Sequence, residues 1–132
     1  MIRYVTLGAD DLAAAARFYD AALAPLGLVR LVTRDGEIGY GRRIEDGGAG
    51  KPQLWILRPF DGGKASSGNG VDVAFDAPSR AAVDAFHAGA LLAGGRDEGA
   101  PGLRPHYSPS FYTAYVRDPV GNKLNAVFDG PT

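Results

Sequence analysis

The chain has 132 residues, 45% of them hydrophobic and 22% charged, enough for one compact domain or two small modules sharing a core, and too balanced for a disordered tail. Fourteen Lys and Arg stand against 15 Asp and Glu, for a formal charge of -1, and no basic run exists to neutralise a row of phosphates, so nucleic acid is not an expected partner. The absence of cysteine removes disulfides, thiolate metal sites, iron–sulfur clusters and cysteine nucleophiles together, and suits a reducing, cytoplasmic setting.

In chain order, a first strand is expected over 2–8. The Ala-rich stretch after it is interrupted by Asp10, Asp11, Arg17 and Asp20, which fits a surface helix and not a secretory or spanning segment, so no membrane partner is expected. Asp11 is its N-cap candidate, Leu12, Ala15, Ala16, Tyr19 and Leu23 its buried stripe, and Gly27 its breaker. Strands follow over 28–33, 37–43 and 53–58, with the Gly-rich stretch Asp46-Gly-Gly-Ala-Gly50 as a flexible connection. After a linker at 63–70 comes a strand over 71–77. A helix capped by Ser79 then buries Val83, Phe86, Ala90 and Leu91, and Gly95 breaks it. A further strand falls near 95–98 or 103–108. The last two strands, 112–117 and 122–128, form a hairpin through Asp118-Pro-Val-Gly121, which suits a tight type I turn.

The second half repeats the first. One ungapped shift of 68 places sets Val5 on Val73, Ala14 on Ala82, Phe18 on Phe86, Ala22 on Ala90, Leu23 on Leu91 and Gly27 on Gly95. The expected fold is therefore α+β: duplicated βαβββ modules, 1–62 and 71–132, whose sheets each carry a helix on one face and curve around a shared cavity with the other. Alternation points Val5, Leu7, Val73 and Phe75 toward the helices, and turns Tyr4, Thr6, Asp72 and Ala74 to the concave side.

Three pieces, Tyr4-Val-Thr-Leu-Gly8 with Arg17-Phe-Tyr-Asp20, Gly68 to Phe75, and Phe111 to Val127, together resemble the vicinal oxygen chelate superfamily. It includes glyoxalase I, bleomycin-resistance proteins, fosfomycin-resistance enzymes and extradiol dioxygenases. In its metal-bearing members, the first strand of each module supplies a His and the last a Glu or His. The matching positions here hold Tyr4, Trp55, Asp72 and Asn125, of which only Asp72 is a good ligand for a divalent cation at neutral pH. The resemblance thus implies a site without the usual metal and no other cofactor, a divalent metal being the alternative. It also implies a homodimer.

Asp72 is the sharpest candidate. A carboxylate facing an aromatic-lined cavity can act as general acid or base, or hold a cationic ligand among the ring faces of Tyr4, Trp55 and Tyr112. It can equally fill the old metal position, hydrogen-bonded to Tyr4 or Asn125. Alternation separates Phe111 and Tyr115 from Tyr112, and Tyr112 is the one expected in the cavity. His106, in Arg104-Pro-His-Tyr-Ser108, is a second catalytic candidate because such a loop passes the cavity mouth in relatives. His87 is expected to be structural or solvated. Arg58 and Arg117 close their strands and are candidates for an anionic ligand. No phosphate-binding loop, dinucleotide fingerprint or nucleophile elbow is present.

Three functions compete. The first is a metal-independent binder of a small organic molecule, aromatic or cationic, of the bleomycin-resistance type. The second is a lyase, isomerase or conjugating enzyme of the glyoxalase type, using Asp72 with His106 or a displaced metal. The third is a dimeric scaffold whose cavity has closed around Trp55 and Tyr4.

Overall fold

The computed structural model describes residues 1–44 and 50–131. Apart from Gly50, the Gly-rich connection expected over Asp46–Gly50 lies outside them. The first module runs β1 (Val5–Gly8), α1 (Leu12–Leu23), a single 3-10 turn (Ala24–Leu26), β2 (Val29–Arg34), β3 (Glu37–Gly41) and β4 (Leu54–Leu57); the second runs β5 (Val73–Asp76), α2 (Arg80–Leu92), β6 (Arg96–Leu103), β7 (Phe111–Arg117) and β8 (Lys123–Asp129). Each module is a βαβββ unit closed into its own four-stranded sheet, with strand orders β1-β4-β3-β2 and β5-β8-β7-β6. The opening strand of each pairs in parallel with its closing strand and lies at the sheet edge.

Both helices start where the sequence offers a side-chain cap: Asp11 accepts from the Ala14 N–H at 3.0 Å and Ser79 from the Ala82 N–H at 3.1 Å, each contact worth about 1 kcal/mol. The 3-10 turn that follows the first helix ends on Gly27 at φ 79°. After the second helix, the left-handed residue is Gly94 at φ 99°, one place earlier than the repeat register suggests. Gly95 is small for another reason. A Cβ there would lie 2.5 Å from Phe18 Cε1 and 2.8 Å from the Ala90 carbonyl, so the position is set by close packing between modules.

Helix α1 buries Ala15, Phe18, Tyr19, Ala22 and Leu23, and α2 buries Ala82, Val83, Phe86 and Ala90. Leu91, expected in the stripe, is 38% exposed, because the second stripe is narrowed to the line that meets α1 and the sheet. The helices cross closely enough that a Cβ on Gly89 would approach the Ala21 carbonyl to 2.9 Å. One core results, with Leu7, Tyr40, Leu54 and Ile56 from the first sheet and Ala114, Val116, Leu124 and Ala126 from the second lining the helix side. No helix among the described residues is long and apolar enough to cross a membrane.

A second device joins the modules. Asp118 is buried, and its Oδ1 accepts from the N–H groups of Val120, Gly121 and Asn122 within the expected turn. Its Oδ2 accepts from Asn122 Nδ2 at 2.9 Å and from the Tyr19 hydroxyl on α1. Asn122 Nδ2 also reaches the Gly8 carbonyl at the end of β1, at 3.2 Å. Five donors satisfy this buried carboxylate, the condition under which burial of a charge is tolerated.

Candidate functional site

Strand parity places the concave residues. On the first sheet Thr6, Trp55 and Gly39 are cross-strand neighbours, and on the second Ala74, Asn125 and Tyr115 occupy the matching row. The two rows keep their bulk on different strands. In the first, the indole lies over Gly39, where a Cβ would come within 2.9 Å of Trp55 Cζ3 and 3.0 Å of Pro52. In the second the large side chain is Tyr115 and the small one is Asn125.

Asp72 and Asn125 meet on the second sheet. With Nδ2 of Asn125 turned to the carboxyl, it donates 2.8 Å to Asp72 Oδ2 and 3.2 Å to Oδ1, while Asn125 Oδ1 accepts from Thr113 Oγ1 at 3.2 Å. An ionised carboxylate, which can only accept, requires this orientation. The reverse one, with Nδ2 on Thr113 Oγ1, sets Oδ1 against the carboxyl and needs a proton on Asp72. Thr113 then keeps its own donation to the Ala126 carbonyl at 2.7 Å. Loss of solvent raises the Asp72 carboxyl above its ordinary range, against the opposing pull of Lys123 and Arg117.

Tyr115 belongs to this face. Its phenol is pushed up first by burial and then by Tyr107 and Asp72, and Lys123 Nζ stands 5.0 Å from its ring centroid. The hairpin turn held the signal: it pairs Arg117 with Lys123, and two steps back that register pairs Tyr115 with Asn125. Tyr112 is of the opposite parity. It turns to the helix side, where its hydroxyl donates to Asp84 at 2.6 Å and Arg80 lies 5.1 Å from its ring. It is therefore not a cavity residue with Asp72, contrary to the expectation.

His106 is exposed in the β6–β7 connection. Its ring is 4.2 Å from that of Tyr107, which is 5.1 Å from Phe111. His87 is partnered, with Nε2 2.8 Å from Asp97 Oδ1. Arg58 faces Asp35 at 3.6 Å and Arg117 bonds Glu98 at 3.0 Å, so both strand-closing cations have carboxylate partners.

Among the described residues, the groove that Tyr4 and Trp55 line includes neither Asp72 nor Asn125. It has a volume of about 560 Å³, and its described lining comes wholly from the first module. Tyr4 is 54% exposed, and Arg34 lies 5.4 Å from the Trp55 ring centroid. The helix sides of both sheets contribute to the one shared core. Among the described residues no three His, Asp or Glu side chains come together as a metal ion requires. Around Asp72 the neighbours are an amide, a hydroxyl, a phenol and two cations, a set that does not fit a divalent ion.

No family model and no curated protein matches the sequence. Solved structures do. A glyoxalase/bleomycin resistance protein from Albidiferax ferrireducens T118 is 35% identical, with 94% of this chain and 95% of that one covered and a TM-score of 0.82. A glyoxalase-related enzyme from Fulvimarina pelagi shares 23% identity over 99% of this chain and 95% of its own at a TM-score of 0.72. The lactoylglutathione lyase of Agrobacterium tumefaciens shares 23% over 96% of this chain and 92% of its own at 0.60. These last two likenesses are of fold. The first, with the doubled βαβββ architecture, sets the relationship: the chain belongs to the glyoxalase/bleomycin resistance protein family, within the vicinal oxygen chelate superfamily that its motifs resemble.

Proposed function

We propose that this protein binds a small organic molecule, aromatic or cationic, on its concave sheet faces without a resident metal, as a homodimer in the cytoplasm. The observation that carries the reading is the side-chain set at the four expected ligand positions. Tyr4 and Trp55 present rings, and Asp72, the one strong donor, is engaged by Asn125. Rings and a hydrogen-bonded polar pair recognise organic groups better than they hold a divalent ion. The groove of the ring pair is lined by first-module residues and the polar pair sits on the second sheet, while β1 and β5 are edge strands. A second copy docking along those edges would bring unlike faces into one cavity.

The test is metal analysis of protein purified without chelator or affinity tag, followed by thermal-shift assays with zinc, nickel, manganese and iron and with a panel of organic molecules. A ligand selective for the native state raises Tm. Stabilisation by organic molecules with no response to cations is the expected result. Stoichiometric metal would overturn it in favour of a glyoxalase-type enzyme, and silence toward both panels in favour of a scaffold.

A further inference from the structure

The groove walled by Tyr4 and Trp55 has a sign. Arg3, Arg42 and Lys51 line it together with the two rings, and among the described residues no carboxylate does. Nor, among those residues, does any of the three cations form an ion pair. Among the described residues, Arg42 makes a long contact to the Leu26 carbonyl, at 3.4 Å. The chain as a whole is nearly neutral, so the described residues of this groove form a local concentration of positive charge, of the kind that focuses potential within a concave surface. The indole already has a guanidinium near it, since Arg34 lies 5.4 Å from the ring centroid while pairing with Glu37 at 2.9 Å. A cationic visitor to that ring would meet Arg3, Arg42 and Lys51 among the described residues of the lining.

We propose that this groove takes an aromatic anion, its ring against Tyr4 and Trp55 and its charged group against Arg3, Arg42 and Lys51. The assignment deepens the small-molecule reading above and rests on it. Ring faces supply apolar area at little entropic cost, while two guanidinium forks match the planar oxygens of a carboxylate or the oxygens of a phosphate ester. The two halves of the duplicated fold then differ in charge preference: the first suits a negative group, and Asp72 on the second suits a positive or hydrogen-bonding one.

Trp55 is the sole Trp, so proton–nitrogen correlation spectra contain a single indole N–H resonance. The experiment titrates the intact protein with naphthylacetate, naphthylethylamine and naphthylethanol, which share a ring system and differ in the charge of the tail. Naphthylacetate is expected to move the Trp55 resonance with an affinity about tenfold above that of the alcohol, and the amine to bind more weakly than either. Added salt should narrow the gap between acid and alcohol. The double substitution Arg3→Gln with Arg42→Gln, at two exposed positions, should bring the acid down to the alcohol's affinity and leave the alcohol unchanged. Equal binding of all three, or preference for the amine, overturns the charge assignment while leaving a small-molecule site in place. No movement of the indole resonance with any of them overturns the groove as a binding site altogether.

Discussion

The hydroxyl of Tyr19 donates to Asp118 Oδ2 at 2.5 Å across 99 places in sequence, tying the helix of one module to the closing turn of the other. Burial and the adjacent carboxylate hold the Tyr19 phenol well above its ordinary range, so it remains a donor throughout the working pH range. Tyr19→Phe leaves Asp118 Oδ2 with Asn122 Nδ2 as its remaining donor. Loss of a buried hydrogen bond to a charge is expected to cost about 2 kcal/mol, read as a lower urea midpoint at unchanged slope. A loss below about 0.5 kcal/mol would show that the contact does not hold the modules together.

Gly39→Ala tests the first concave face. The new Cβ needs space that Trp55 and Pro52 occupy, so the indole must shift. A destabilisation of about 1–3 kcal/mol is expected, with a change in Trp fluorescence maximum that reports the displaced ring. An unchanged spectrum would mean that the backbone yields instead.

Asp72→Asn separates charge from shape. A carboxyl whose folded pKa is raised binds its proton more tightly folded than unfolded, so its ionised form detracts from stability at neutral pH and the penalty fades as pH falls through the raised value. The Asn variant is thus expected to match or exceed the parent in Tm at pH 7, and to lose that advantage on acidification toward the ordinary carboxylate range. A variant less stable by more than about 1 kcal/mol at neutral pH would instead make Lys123, Arg117 and Asn125 net stabilisers of the charge.

Tyr112→Phe checks the parity of β7. It removes a bond to Asp84 on the helix side, at a surface where the expected stability change is within about 1 kcal/mol. Binding of any organic ligand should be unaffected, as read by titration. Weakened binding would return Tyr112 to the cavity.

The duplication was legible because both modules keep one spacing from first strand to helix, with Val5 matched to Val73 and Asp11 to Ser79, and because caps and alternation are local rules. Strand β6 was legible only in its ends: a strand was expected near 95–98 or 103–108, and the one over Arg96–Leu103 bridges Gly99, Pro101 and Gly102 through pairing with β7, with register shifts on either side of Gly99. Alternation assigned Tyr4, Thr6, Asp72 and Ala74 to the concave side, while Trp55 and Asn125 were matched to them only through the family resemblance. What alternation does not encode is how one sheet is turned relative to the other. Contacts such as Gly89 on Ala21 and Gly95 on Phe18 set that angle, and they arise from shape rather than pattern. The gathering of three cations among the described residues of the first groove was hidden for a related reason. Arg3, Arg42 and Lys51 are scattered along the chain and converge only when β1, β3 and β4 are assembled.

The exchange of bulk between Gly39 beneath Trp55 and Asn125 beside Tyr115 breaks the internal twofold at the very rows that duplication would have made alike. A guest of the proposed kind that spanned two such walls would meet rings at one end and an amide and a phenol at the other, an asymmetry that would favour molecules with unlike ends over palindromic ones.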